Sequence, residues 1–211
     1  MSIQSFGNSH QDIFVLSMLN YKTNGYFLEI GSHDPMINNN TYLLENRFNW
    51  KGLMIDYLPT FEERYKELRP NSIYEIKDAR IVDYKKIFEE NNFPLNMDYL
   101  QIDLDADNGS TIETLFVLKE NILNKYKFAT ITFEHDIYRG NFYNTREISR
   151  KIFLDKGYIL LFPDVKIFGE GFDNPYEDWY VHPDLISTEI INKFKTDKSL
   201  LDTDIINIIT K

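Results

Sequence analysis

Apolar residues along this chain gather in short runs bounded by polar or turn-forming residues, spaced to leave room for a helix between them. Residues 26–30, 52–56, 73–76, 99–104, 129–133, 158–162 and 179–181 are rich in aromatic and β-branched side chains and read as strands. The run 158–162 is apolar throughout, as a strand covered on both faces should be. Gly157, after the helical stretch 148–156, marks a helix stop.

Helical segments fall between the strands. Residues 40–47 form one, and three others begin at hydroxyl or amide residues placed three before a glutamate: Thr60 with Glu63, Ser110 with Glu113, and Asn144 with Glu147. Alternating strands and helices predict an α/β fold with a mostly parallel sheet wrapped by helices. Repeats and Pro/Gly linkers are missing, so one domain over 1–211 is expected. It would comprise an amino-terminal helix or lid (1–24), the core (25–184) and one or two closing helices (185–211).

Charge narrows the partners. The 211 residues carry 23 Lys and Arg against 33 Asp and Glu, a formal net charge of −10, which opposes a phosphate backbone and excludes nucleic acid as a direct substrate. Cysteine is absent, so disulfides, zinc thiolates and thiol nucleophiles are excluded. The start, Met1-Ser2-Ile3-Gln4-Ser5, has no basic leader or apolar signal core, and no apolar run is long enough to cross a bilayer. Cytoplasmic residence without membrane contact is the expectation, and a homo-oligomer is compatible with it.

The first candidate site is the turn after the first strand, Glu29-Ile30-Gly31-Ser32-His33-Asp34-Pro35. Gly31 has no Cβ to hold off a ligand, and Asp56 closes the next strand where dinucleotide folds hold a ribose diol. The remaining glycines of a G-x-G-x-x-G fingerprint are missing, which favours an adenosine ligand without a diphosphate.

Four segments together resemble the FkbM-type methyltransferases: Gly25 to Asp34, Asn40-Thr41-Tyr42-Leu43-Leu44-Glu45, Trp50-Lys51-Gly52-Leu53-Met54-Ile55-Asp56 and Tyr176-Glu177-Asp178-Trp179-Tyr180-Val181. That resemblance implies a Rossmann-like class I methyltransferase sheet of seven strands, S-adenosylmethionine as donor, and a hydroxyl acceptor on a sugar or sugar-containing metabolite. It implies Glu29 and Gly31 at the methionine end, with Ser32 and Asp34 of the same turn and Asp103 among the cofactor contacts. Asp56 would take the ribose, and Asp78 and Ala79 the adenine edge. Pro35 stands where the family usually has glycine and removes an amide donor.

An alcohol attacking a sulfonium methyl needs a general base or a metal that lowers its pKa. Asp103-Leu104-Asp105-Ala106-Asp107 and Glu134-His135-Asp136 follow consecutive strands, whose ends share one rim. Asp103, Glu134 and His135 are therefore the catalytic candidates, and Asp103, Glu134, His135 and Asp136 the candidate ligands for Mg²⁺ or Mn²⁺. His10 would belong to a lid, and Arg139 would steer an anionic acceptor such as a nucleotide-linked sugar. Acceptor information is expected within 139–178. Two alternatives stand beside this reading: a metal-dependent nucleotide-sugar glycosyltransferase using Asp103-Leu104-Asp105, and a non-catalytic scaffold.

Overall fold

The computed structural model describes residues 3–167 and 175–211. Met1 and Ser2 of the leader reading, and 168–174 of the acceptor window, lie outside the described residues. Strands Tyr26–Ile30 (β1), Lys51–Asp56 (β2), Ile73–Ile76 (β3), Asn96–Ile102 (β4), Lys127–Glu134 (β5), Ile159–Val165 (β6) and Glu177–Val181 (β7) form one sheet in the order β3-β2-β1-β4-β5-β7-β6. The first five pair in parallel, while β7 runs antiparallel to both β5 and β6.

Helices cover both faces: Gln11–Met18 (α1), Tyr42–Phe48 (α2), Glu62–Leu68 (α3), Tyr84–Glu90 (α4), Ser110–Asn121 (α5), Tyr143–Asp155 (α6), Thr188–Phe194 (α7) and Asp202–Ile209 (α8). Because successive strand residues point to opposite faces, β1 sends Leu28 and Ile30 one way and Phe27 the other. Leu28 and Ile30 share a core with Phe88 of α4, Leu115 of α5 and Phe153 of α6. Phe27 joins Phe14 of α1, Leu44 of α2 and Trp179 of β7 on the opposite side, where the Phe14 and Trp179 rings stack at 4.6 Å.

The chain steps outward from β1 through β2 to β3, then returns to place β4 on the other side of β1. A crevice opens at such a reversal, beyond the carboxyl ends of the two central strands. Gly31 follows β1 and Asp103 follows β4, so the two flank it.

Several local expectations need correction. None of the three predicted hydroxyl-x-x-Glu or amide-x-x-Glu starts is a side-chain cap. Thr60 falls inside a 3₁₀ turn, Pro59–Phe61, whose proline fixes the entry to α3. Ser110 Oγ instead donates to the Asp105 carbonyl at 2.9 Å. Capping side chains occur at Asp83, which accepts from the Lys86 N–H, and at Ser187, which accepts from the Ile190 N–H. Strand β4 runs from Asn96 to Ile102 rather than 99–104; Asp98 is tolerated near its start because its carboxylate is satisfied by the Tyr26 N–H and Lys22. Gly157 does end its helix, at φ +86°.

Candidate active site

Gly31 sits at φ +83°, and a Cβ there would lie 1.7 Å from the Asp103 carbonyl oxygen. Glycine is therefore required here by the neighbouring strand's backbone. The Gly31 N–H donates to Ile55 O at 2.9 Å and the Asp103 N–H to Ile30 O at 3.0 Å, extending the ladders past the strand ends. Asp56 is fixed by accepting the His33 N–H on one oxygen and the Leu58 N–H on the other, both at 2.8 Å.

Along these tips lies a cavity of about 640 Å³, walled by Gly31, Asp56, Asp78, Ala79, Asp103 and Glu134 among others. Six predicted site residues thus converge on one space. Asp78 is gripped by the Arg80 guanidinium, which holds its carboxyl below the usual range. Ala79 opens a 3₁₀ turn, so its N–H has no intrahelical acceptor.

At the other end of the cavity stand the carboxyls of Asp103 and Glu134. Burial raises both carboxyls, and two buried carboxyls facing one space disfavour holding two charges at once, so the pair can both accept and give a proton.

The other predicted residues lie elsewhere. Glu29 is buried beneath the turn, accepting from Asn39 Nδ2, the Asn40 N–H and Thr41 Oγ1, and burial pushes it up to about 7. Ser32 bonds the Ile55 carbonyl and accepts from the Tyr65 hydroxyl. Asp34 accepts the Met36 and Ile37 N–H groups and pairs with Arg64. These three carboxyl and hydroxyl groups shape the turn and do not line the cavity.

His135 alternates away from Glu134. Its ring is fully buried and lies 3.6 Å from Asp164 and 3.9 Å from Asp178, and neither nitrogen has a hydrogen-bond partner. Burial lowers it to about 4. His10 bonds Asp202 of α8 at 2.7 Å, and Asn8 is the residue of that segment that reaches the cavity. Arg139 is held by Asp105 at 2.9 Å and Asp107 at 3.2 Å.

Two tyrosines were not anticipated as site residues. Tyr138 donates to Glu134 Oε1 at 3.1 Å, and its ring meets that of Tyr176 at 5.5 Å. Register offered a signal: Glu134 pairs with Glu177, which puts Tyr176 just beyond the end of β5.

Of the predicted metal ligands, Asp103 and Glu134 line the cavity and His135 and Asp136 do not. Asp136 accepts the Ala106 N–H on Oδ2, and its Oδ1 is buried without a hydrogen-bond partner. Among the described residues, the group whose ligand atoms come within 4.8 Å of one another is His135, Asp164 and Asp178, but Arg146 and Arg150 already neutralise those two carboxylates.

No family model matches the chain, and no curated protein does. Solved structures do. A TehB-like SAM-dependent methyltransferase from Corynebacterium glutamicum superposes with a TM-score of 0.51 at 12% identity, covering 82% of this chain and 86% of that one. The precorrin-6y C5,15-methyltransferase from Geobacter metallireducens gives 0.53 at 14% identity, covering 86% and 93%. The fold is that of the class I methyltransferases. At such identities the likeness extends to the Rossmann-like seven-stranded architecture and to nothing finer. Among the described residues no helix is long and apolar enough to cross a membrane.

Proposed function

We propose that the chain is an S-adenosylmethionine-dependent O-methyltransferase of the FkbM type, acting on a hydroxyl of a sugar or sugar-containing metabolite. The observation that carries this reading is the convergence of Gly31, Asp56, Asp78, Ala79, Asp103 and Glu134 on one cavity beyond the carboxyl ends of β1 and β4. Asp56 would hold the ribose hydroxyls with its remaining lone pairs, and the Ala79 N–H would meet the adenine edge. The donor supplies an electrophilic sulfonium methyl, whose positive charge suits a cavity lined by Asp56, Asp78, Asp103 and Asp105.

In the transfer step an acceptor oxygen forms a bond to the methyl carbon as the carbon–sulfur bond breaks, and the hydroxyl proton passes to the Asp103–Glu134 pair.

The glycosyltransferase alternative needs Asp105 beside Asp103 on one ion, whereas the Asp105 carboxylate is exposed and tied to Arg139. Calorimetric titration tests the reading. Binding of S-adenosylmethionine and of its demethylated product supports it; binding of neither, with the protein folded, overturns it.

A further inference from the structure

Building on the proposed methyl transfer, we infer that the acceptor is an uncharged polyhydroxylated molecule, without phosphate or other anionic groups where it meets the protein. Three cationic side chains line the cavity: Lys77, Arg80 and Arg139. Two of them are already neutralised. Arg80 grips Asp78 and reaches Glu113 at 3.0 Å. Arg139 is fastened to Asp105 and Asp107, with Asp136 at 3.8 Å.

Lys77 makes no ion pair among the described residues, but it stands at the wrong end for an acceptor. It follows β3, and four strand spacings separate β3 from β5, a distance of about 19 Å. The cavity residues that follow β4 and β5 or precede β7 include, besides Arg139, Asp105, Asn108, Ser110, Tyr138 and Tyr176. These are carboxylates and neutral hydrogen-bonding or aromatic groups.

An anionic acceptor would have to enter beside like charge with no unpaired lysine or arginine at that end of the cavity among the described residues, and like-charge juxtaposition in an enclosed site disfavours binding. Hydroxyl groups meet no such barrier, since they donate to carboxylates and exchange hydrogen bonds with Asn108, Ser110 and the two phenols. Arg139, a natural reader of phosphate by its residue type, is withheld from that role by its acidic partners.

Thermal denaturation with uridine diphosphate and with inorganic pyrophosphate as probes tests this. The protein is used with and without saturating S-adenosylhomocysteine, with and without Mg²⁺, at matched ionic strength. The expected result is no rise in Tm for the wild type with either probe, and a rise of roughly 2 °C or more in the double variant Asp105→Asn, Asp107→Asn, where Arg139 is released. Stabilisation of the wild type by either probe overturns the inference. S-adenosylhomocysteine alone reads the underlying methyltransferase reading separately: without a shift from it, that reading fails, while the probe comparison still reports whether the cavity rejects phosphate.

Discussion

The carbonyl oxygen of Asp103 occupies the space in which a side chain on Gly31 would begin. The tips of β1 and β4 are thereby joined through a contact that a residue with a Cβ cannot make. This contact sets the position of the Asp103 carboxyl, because its backbone is pinned on one side by Gly31 and on the other by the Ile30 carbonyl.

Gly31→Ala should therefore be severe. Alanine at φ +83° adds left-handed strain to a clash with backbone that has nowhere to move, and the two together cost roughly 3 kcal/mol or more. Urea denaturation reads the loss. Variant protein that still folds should bind S-adenosylhomocysteine more weakly, since displacing Asp103 reshapes the cavity wall. Unchanged stability would show that the contact is relieved more easily than the geometry indicates.

Asp103→Asn and Glu134→Gln keep shape and remove the acid–base function. Each should lower the rate of transfer by about 10²- to 10⁴-fold, the range a positioned proton acceptor supplies. Donor affinity should change by less than about threefold, because the pair faces the acceptor side. Single-turnover transfer alongside calorimetric donor binding separates the two quantities. Loss of donor binding in both variants would place the pair in the donor pocket instead.

The succession of strands along the chain was legible because each strand is a short apolar run between turn residues, and the crevice residues Gly31, Asp56, Asp78 and Asp103 stand at or just beyond the ends of such runs. Position after a strand is enough to put a residue on the rim. It does not say which way the side chain turns. Glu134 and His135 are neighbours in sequence, yet the period of two sends Glu134 into the cavity and His135 among the arginines of α6. Glu29 looked like a ligand residue because it ends a strand, but it sits one residue too early and points below the turn. Capping was misread for a different reason: Pro59 and Gly109 impose their own backbone geometry, which overrides the hydroxyl that follows. The antiparallel β7 could not be read from periodicity, since the pattern of a buried strand carries no direction.

Glu29 makes stability depend on pH with a definite sign. Its carboxyl is pushed up from 4.5 to about 7 in the folded protein by burial, so between these values the folded state holds a proton that the unfolded chain has released. Stability then falls as pH rises through that window and levels off above it. Glu29→Gln removes this contribution. Urea denaturation at pH 5.0 and 7.5 should show a larger loss for the wild type than for the variant on going to the higher pH. Equal losses would mean that the three donors and Arg69 keep Glu29 ionised throughout.

His135 and Arg150 occupy one buried network and should respond in opposite ways to removal. Arg150 Nε is 2.7 Å from Asp178 Oδ2, and its Nη2 is 2.9 Å from Asp164 Oδ1. Asp178 is fully buried, so Arg150→Ala leaves an uncompensated charge in the core and should cost about 3–5 kcal/mol. The imidazole of His135 is neutral at physiological pH and both its nitrogens lack partners. An apolar group of similar size loses nothing that is being used, so His135→Leu should lie within about 1 kcal/mol of the wild type. It should also retain transfer within about twofold, because the ring is not part of the cavity wall. Denaturation midpoints and transfer rates for the two variants decide the matter. If His135→Leu abolished transfer while keeping stability and donor affinity, the imidazole would have to act on the acceptor, and the division between Glu134 facing the cavity and His135 facing α6 would be untenable.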